Sequence, residues 1–447
     1  MSTRRKSKQW TAAKDIPVVD GYDILVCGGG PAGIGAAVAA GRGGARTLLI
    51  ERLNWVGGMG AGAARENWAD TQNGSVFAEL ERRLTAIGKA KRRFDPQSHV
   101  NTMGRVAIHG ETLKVAALQM VKEAGVDILF GAVVVGVKKE GDLVRGVIVG
   151  AKGGLFHVKA KVVVDATADG DVAAGAGAEY LKGDPGNGRL MHVNYYLKLK
   201  DVDLEKYERE KPSEETLLQW IGEALKSGKL HPPKGIFSPD AEFFPYHLPM
   251  RTLKLHYWEI EGVDCSDPFA VSKTLTDCQV ASFEIVEFCR NRLPGYERCG
   301  IERVQDSLGV RESRRIVGQY TLTRDDVLSA RKFDDGIAKA CFFIDYHDSP
   351  PGQTVPYTLE FKKKFSPPQG DWYEIPYRCL LPKKVKGLLL AGRCVSADRD
   401  AFASLRVMAT CMYTGEAAGA AAAMAVALKV SPHEVDGEKV RGKVVFD

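Results

Sequence analysis

None of the nine cysteines in this 447-residue chain forms a CxxC pair. That spacing argues against a zinc site or a redox dithiol, and the odd count argues against a disulfide framework. A reducing, cytoplasmic setting without a bound metal is therefore expected. Long apolar runs are also missing: none reaches the ~20 residues of a membrane-spanning helix. The nearest, 417–428, is alanine-rich and reads as a buried helix. Charge of one sign is barely in excess, since 62 Lys+Arg against 56 Asp+Glu leave +6, and Arg4, Arg5, Lys6 and Lys8 supply four of it. Nucleic acid is thus not an expected partner. The basic start has no apolar stretch behind it, so the Arg4–Arg5 pair does not read as an export signal. No internal repeat is present, and no segment beyond the tail is of low complexity.

Glycine, by contrast, is abundant, with 48 residues against a typical ~7%. Many of them lie where tight turns and close backbone approaches are needed. Residues 22–27 (YDILVC) read as a strand, 33–42 as a helix of small residues and 46–51 (RTLLIE) as a second strand, a β-turn-α-β unit of mononucleotide-binding size. Between the first strand and the helix stands Gly28-Gly29-Gly30-Pro31-Ala32-Gly33, a GxGxxG turn. Gly28 permits the turn, Gly30 admits a pyrophosphate to the backbone, and Gly33 lets helix and strand pack closely. The helix N-terminus adds free N–H groups and partial positive charge. Glu51, eighteen residues past Gly33, stands where an acidic side chain bonds ribose hydroxyls and repels a 2′-phosphate.

The fingerprint alone does not separate NAD from FAD. Three later features favour FAD: the Gly57-Gly58 pair, the strand and small-residue turn at 162–177 (VVVDATADGDVAAGAG), and a strand ending in glycine at 387–396 (GLLLAGRCVS) that is followed by a helix. A nicotinamide domain has no need to recruit so distant a segment. The expected architecture is α/β: a discontinuous Rossmann-like FAD-binding domain (21–190 and 380–430) with an inserted α+β substrate domain (191–379). A basic flexible tail (1–20) and a peripheral tail (431–447) flank it. Expected elements include helices at 111–124, 214–226 and 269–292 and strands at 127–130, 133–138, 143–149, 155–159, 161–165, 193–199 and 253–258.

The stretches CGGGPAGIGAAVAAGRGGARTLLIERLNWVGG, VVVDATADGDVAAGAGAEY, LGVRESRRIVGQYTLTRDDV and IPYRCLLPKKVKGLLLAGRCVSADRDAFASLRVMATCMYTGEAAGAAAA cover roughly a third of the chain. Together they resemble the FAD-dependent oxidoreductases with a glutathione-reductase-type flavin domain, more distantly the fumarate reductase flavoproteins and L-aspartate oxidase. The resemblance implies cofactor contacts from Gly28, Gly30, Pro31, Ala32, Gly33, Glu51, Arg52, Gly57 and Gly58. It adds Ala166, Asp169, Gly392, Arg393, Met408 and Gly415, with Val133 or Val134 bonding the adenine through its backbone. Two departures stand out. Gly41 occupies a usual alanine position, which would loosen the helix. Ala397-Asp398-Arg399 replaces a common Thr-His, and no residue matches a histidine that would hold flavin covalently, so noncovalent FAD is expected.

The flavin performs the redox step, and the protein positions substrate and tunes the ring. A helix within 404–428 would direct N–H groups at the ring, with Arg393 or Arg406 adding charge; both arginines could equally serve phosphates or neighbouring carboxylates. In extended chain, Arg311 and Arg315 share a face suited to a carboxylate; the alternative is consumption by ion pairs with Glu312, Asp325 or Asp326. His347 is a candidate base oriented by Asp345 or Asp348, and Tyr377 and Arg378 stand in a loop returning to the flavin domain. The expected activity is hydride transfer between a small organic substrate, anionic by the arginine reading, and FAD, with an unnamed electron acceptor. A non-redox isomerisation or hydration is the alternative, as is an electron-transfer subunit, against which the large insertion weighs. Self-association into a homo-oligomer stays open.

Overall fold

The computed structural model describes residues 16–63, 66–70, 75–93, 104–231, 235–236, 253–348 and 358–444. Its centre is a five-stranded parallel sheet in the order Leu388–Leu390, Val162–Asp165, Ile24–Cys27, Thr47–Glu51 and Asp127–Phe130. Apart from the partly exposed edge strand Asp127–Phe130, these strands are buried along their whole length, so they read as unbroken apolar runs without the alternation of a one-sided sheet. Val163 pairs with both Leu25 and Leu388, which brings the C-terminal segment into the middle of the fold.

Two helices lie together on this sheet, Pro31–Arg42 and Met408–Leu428. Their small residues let the backbones nearly touch: a Cβ on Gly415 would stand 2.0 Å from the Ala32 carbonyl oxygen. Met408–Leu428 is long and apolar enough to cross a membrane by length and composition. The expected apolar helix therefore starts earlier than 417, and it is buried because it is a core helix. Gly41 does not loosen the first helix. A Cβ there would meet the Ala124 carbonyl oxygen at 2.3 Å, so glycine is what the contact requires.

A four-stranded sheet joins Val18–Val19, Gly154–Lys159, Leu143–Ala151 and Val133–Glu140. Residues 18–19 pair in parallel with 157–158, so the tail expected over 1–20 ends sooner; 1–15 lie outside the described residues. The other tail is also revised. Val435 and Val440 are buried in the main core, and Arg441 pairs with Glu374, so 431–444 is packed structure.

The inserted unit is smaller than the sequence suggests. A separate hydrophobic core spans residues 193–308, where Val193–Lys200, Leu253–Ile260 and Gly300–Val304 form a sheet beside the helix Pro268–Arg292. From Ile316 onward the buried side chains, among them Leu322, Ile337 and Ile375, join the main core. The insertion expected over 191–379 thus ends sooner, since buried residues described at 316–344 and 373–379 pack in the main core. Beyond Arg311, where extended chain was expected, a strand forms only at Arg314–Ile316, which pairs with Tyr180–Lys182.

Candidate functional site

The parallel strands end at a cavity of about 360 Å³. Gly28 adopts φ +106°, a left-handed conformation that glycine alone takes at little cost, and a Cβ there would come 2.3 Å from the Ala166 carbonyl oxygen. A Cβ on Gly33 would overlap the Gly28 carbonyl oxygen at 1.7 Å. At Gly30 the nearest atom to such a Cβ is 4.0 Å away, so this glycine opens the backbone to the cavity, which Gly30, Pro31 and Ala32 line. The helix behind them has no side-chain cap and no acidic residue in its first turn. The same is true of Met408–Leu428, and its Val407, Met408 and Cys411 line the same cavity. Two uncapped N-termini, with their unsatisfied N–H groups, thus converge on one space.

Glu51 closes the second strand and is 6% exposed. One carboxylate oxygen accepts from the Gly29 N–H and the other from the Leu53 N–H at 2.7 Å. It braces the glycine turn, and each oxygen retains a lone pair for a further donor. Gly57 donates its N–H to the Gly29 carbonyl at 2.8 Å, and Gly58 packs on Gly30, so this pair buttresses the turn. Ala166, Gly392 and Arg393 line the cavity. Asp169 lies behind Arg393 and accepts from its Nη2 at 2.6 Å. The buried Nη1 of Arg393 has no hydrogen-bond partner among the described residues, a donor that an anionic cofactor group would satisfy.

The remaining expected cofactor residues fall elsewhere. Gly415 is at the helix crossing, where its contact with Ala32 makes it a packing residue. Arg52 is exposed, Val134 sits in the antiparallel sheet paired with Val149, and neither lines the cavity.

Of the four catalytic candidates, Arg311 and His347 line the cavity. His347 Nε2 lies 3.0 Å from Asp345 Oδ2, and Arg406 donates to the Asp345 carbonyl at 2.9 Å and to its carboxylate at 3.2 Å. Burial alone would raise Asp345, but His347, Arg406 and Arg311 outweigh it and hold its carboxyl well below the usual range. An ionised carboxylate only accepts, so His347 Nε2 carries the hydrogen that it donates to Asp345. Asp348 is not the orienting group; it pairs with Arg399 at 2.7 Å.

Arg315 and Tyr377 are corrections. Arg315 is buried away from the cavity, paired with Glu312 and donating to the Gly183 carbonyl at 3.0 Å. Extended-chain parity placed it on the face of Arg311, but the strand begins only at Arg314, so that face is not shared. Tyr377 is 2% exposed, and its hydroxyl donates to the Pro432 carbonyl at 2.8 Å. Arg378 pairs with Asp335 at the surface. Sequence reasoning missed Asn67, Arg105, Asn194, Phe342, Phe343 and Lys362, all of which line the cavity. Only tertiary packing gathers them, and no local motif marks any of them.

A profile of the family described as FAD dependent oxidoreductase matches residues 23–444, nearly the whole chain. The chain belongs to that family. Its cofactor is FAD, and the glycine turn, the paired helix N-termini and the unpartnered Arg393 nitrogen fit that group. Among curated proteins it is similar to the digeranylgeranylglycerophospholipid reductase of Thermoplasma volcanium, 32% identical over 154 residues. That match covers 32% of this chain and 39% of the relative, well under half of either. Among solved structures it is similar to a geranylgeranyl bacteriochlorophyll reductase-like protein of Thermoplasma acidophilum. There the identity is 14% and the TM-score 0.46, over 96% of this chain and 83% of the other. A myxobacterial chondrochloren halogenase gives 13% identity and a TM-score of 0.44 over 96% and 78%. Membership of that family is what makes this chain an FAD-dependent oxidoreductase.

Proposed function

We propose that the enzyme transfers a hydride between a small organic substrate and noncovalently held FAD. The observation that carries this reading is that one cavity is lined both by the nucleotide-binding turn with its two helix N-termini and by the Arg311, Asp345, His347 and Arg406 cluster. Gly30, Ala32, Glu51 and Arg393 would hold the cofactor, with Glu51 accepting from the ribose hydroxyls. Bound there, FAD supplies two-electron redox chemistry at the isoalloxazine ring.

The chain's own residues do the rest. The N-terminus of Met408–Leu428 favours negative charge on any group set against it. Arg311 anchors an anionic or strongly polar substrate group through its planar fork. Asp345 fixes the plane and tautomer of His347, which is what a side chain that moves a proton requires. Anaerobic titration of the yellow protein with metabolites tests the reading, since the right substrate bleaches the flavin. For that substrate Arg311→Lys lowers kcat/KM about tenfold or more, or ~1.4 kcal/mol, with FAD content unchanged. Loss of FAD or of fold in this variant would instead make Arg311 structural.

A further inference from the structure

We propose that Arg105 and Lys362 form a second anion-binding locus in the cavity, and that the substrate is a small organic molecule carrying two negative charges. The proposal rests on the functional reading above and deepens it. Arg105 opens the strand Arg105–Ile108, in a three-stranded sheet with Asn67–Ala69 and Ala90–Arg93, and Lys362 belongs to the short helix Leu359–Lys364. Neither element is part of the parallel sheet that presents the nucleotide-binding turn. Both side chains line the cavity and both residues are half-buried.

What sets them apart is the absence of a counter-charge. Arg393 has Asp169, Arg399 has Asp184 and Asp348, and Arg311 and Arg406 surround Asp345. Among the described residues no carboxylate or hydrogen-bond acceptor meets the Arg105 guanidinium or the Lys362 ammonium. Lys362 has only the Phe343 ring, 5.8 Å from its Nζ. Among the described residues, five cationic side chains line the cavity against one carboxylate, Asp345. Asp169 neutralises Arg393 from behind, and among the described residues no carboxylate faces Arg105 or Lys362. A half-enclosed wall of one sign focuses its field on the space it encloses and raises the local concentration of the opposite charge. Partly desolvated cations without partners are costly until a ligand completes them.

The functional reading already sets one anionic group against Arg311, beside the Asp345 cluster. Arg105 and Lys362 lie outside that cluster and call for a second anion. Ligand pockets run from about 300 to 1,000 Å³, and this one, at about 360 Å³, also has to admit the flavin ring. The substrate is therefore small. Carboxylate and phosphate share the chemistry that these two side chains recognise.

The test is calorimetric titration of the holoenzyme with glutarate, its monoamide, its diamide and 2-phosphoglycolate, at millimolar concentrations. The expected result is that affinity falls at each step as glutarate loses charge. Arg105→Gln and Lys362→Gln should each weaken the dianions about tenfold or more. They should leave the monoamide nearly unaffected and FAD content and thermal stability unchanged. A larger loss of 2-phosphoglycolate than of glutarate binding in Arg105→Gln and Lys362→Gln assigns the locus to a phosphate, and the reverse to a carboxylate. The proposal is overturned by equal affinity across the three charge states of glutarate and its amides, by absence of binding from both glutarate and 2-phosphoglycolate, or by loss of FAD in either variant. Because calorimetry needs no turnover, failure of every metabolite to bleach the flavin would overturn the functional reading separately.

Discussion

Replacing Glu51 removes two supports at once. In the folded chain its carboxylate is almost fully buried and accepts from the Gly29 and Leu53 N–H groups, one on each oxygen. Hydrogen bonds to a charged group contribute about 1.5–3 kcal/mol each, and a buried donor left unpaired carries a cost of similar size. Glu51→Ala opens space that water enters and partly repairs, so a stability loss of about 2–4 kcal/mol is expected, short of the sum of two full bonds. Glu51→Gln keeps the shape but sets an amide N–H₂ against one of the two backbone donors, so about 1.5–3 kcal/mol is expected. FAD binding suffers beyond this, since the glycine turn shifts and the ribose loses its acceptor. At ~1.4 kcal/mol per tenfold, the dissociation constant should rise about ten- to a hundredfold. Urea unfolding of the apoprotein and FAD titration of the refolded variants separate the two effects. Variants that unfold at wild-type urea and hold FAD as tightly as wild type would refute both the brace and the ribose contact.

Arg315→Ala should destabilise the fold by about 3–5 kcal/mol, because Glu312 is then left buried without its main partner; a variant that keeps wild-type stability and loses only turnover would return Arg315 to the active site. Asp165, fully buried, has its carboxyl pushed up to about 6 by burial, against the opposing hydrogen bonds from Thr167 and Ala173. A folded value above the unfolded one, 3.8, stabilises the protein below pH 3.8, and this contribution is lost as pH rises through 6. The stability of wild type relative to Asp165→Asn should therefore fall by about 2 kcal/mol between pH 4 and 7, measured by urea unfolding at each pH. A difference that stays flat across that range contradicts an unfavourable buried charge.

The nucleotide-binding half was legible because its signals are short-range. Gly28 to Gly33 and Glu51 sit within one β-turn-α-β unit, where spacing in sequence fixes position in space. The contribution of Leu388–Leu390 was also readable, since an apolar strand ending in glycine has few other uses so late in the chain. Periodicity says which residues are apolar but not which core receives them, so buried residues described after Ile316, expected in the insertion, pack in the main core instead. Arg315 failed for a related reason, because parity along an extended chain orders faces but does not say which is buried. Tyr377 was placed by analogy, and burial overrode it. Arg105, Lys362 and Phe342 reach the cavity from three segments that only the folded chain brings together. Gly41 shows the converse, a residue read as a weak point that the Ala124 carbonyl makes necessary.

The two uncapped helix N-termini and the glycine turn would hold FAD without a covalent bond. Acid denaturation of the purified protein, followed by chromatographic and mass analysis of the released flavin, tests it most directly. The account predicts a yellow protein that releases intact FAD, close to one per chain, and leaves colourless polypeptide. A colourless protein that FAD cannot reconstitute, or flavin that stays with the denatured chain, would contradict it.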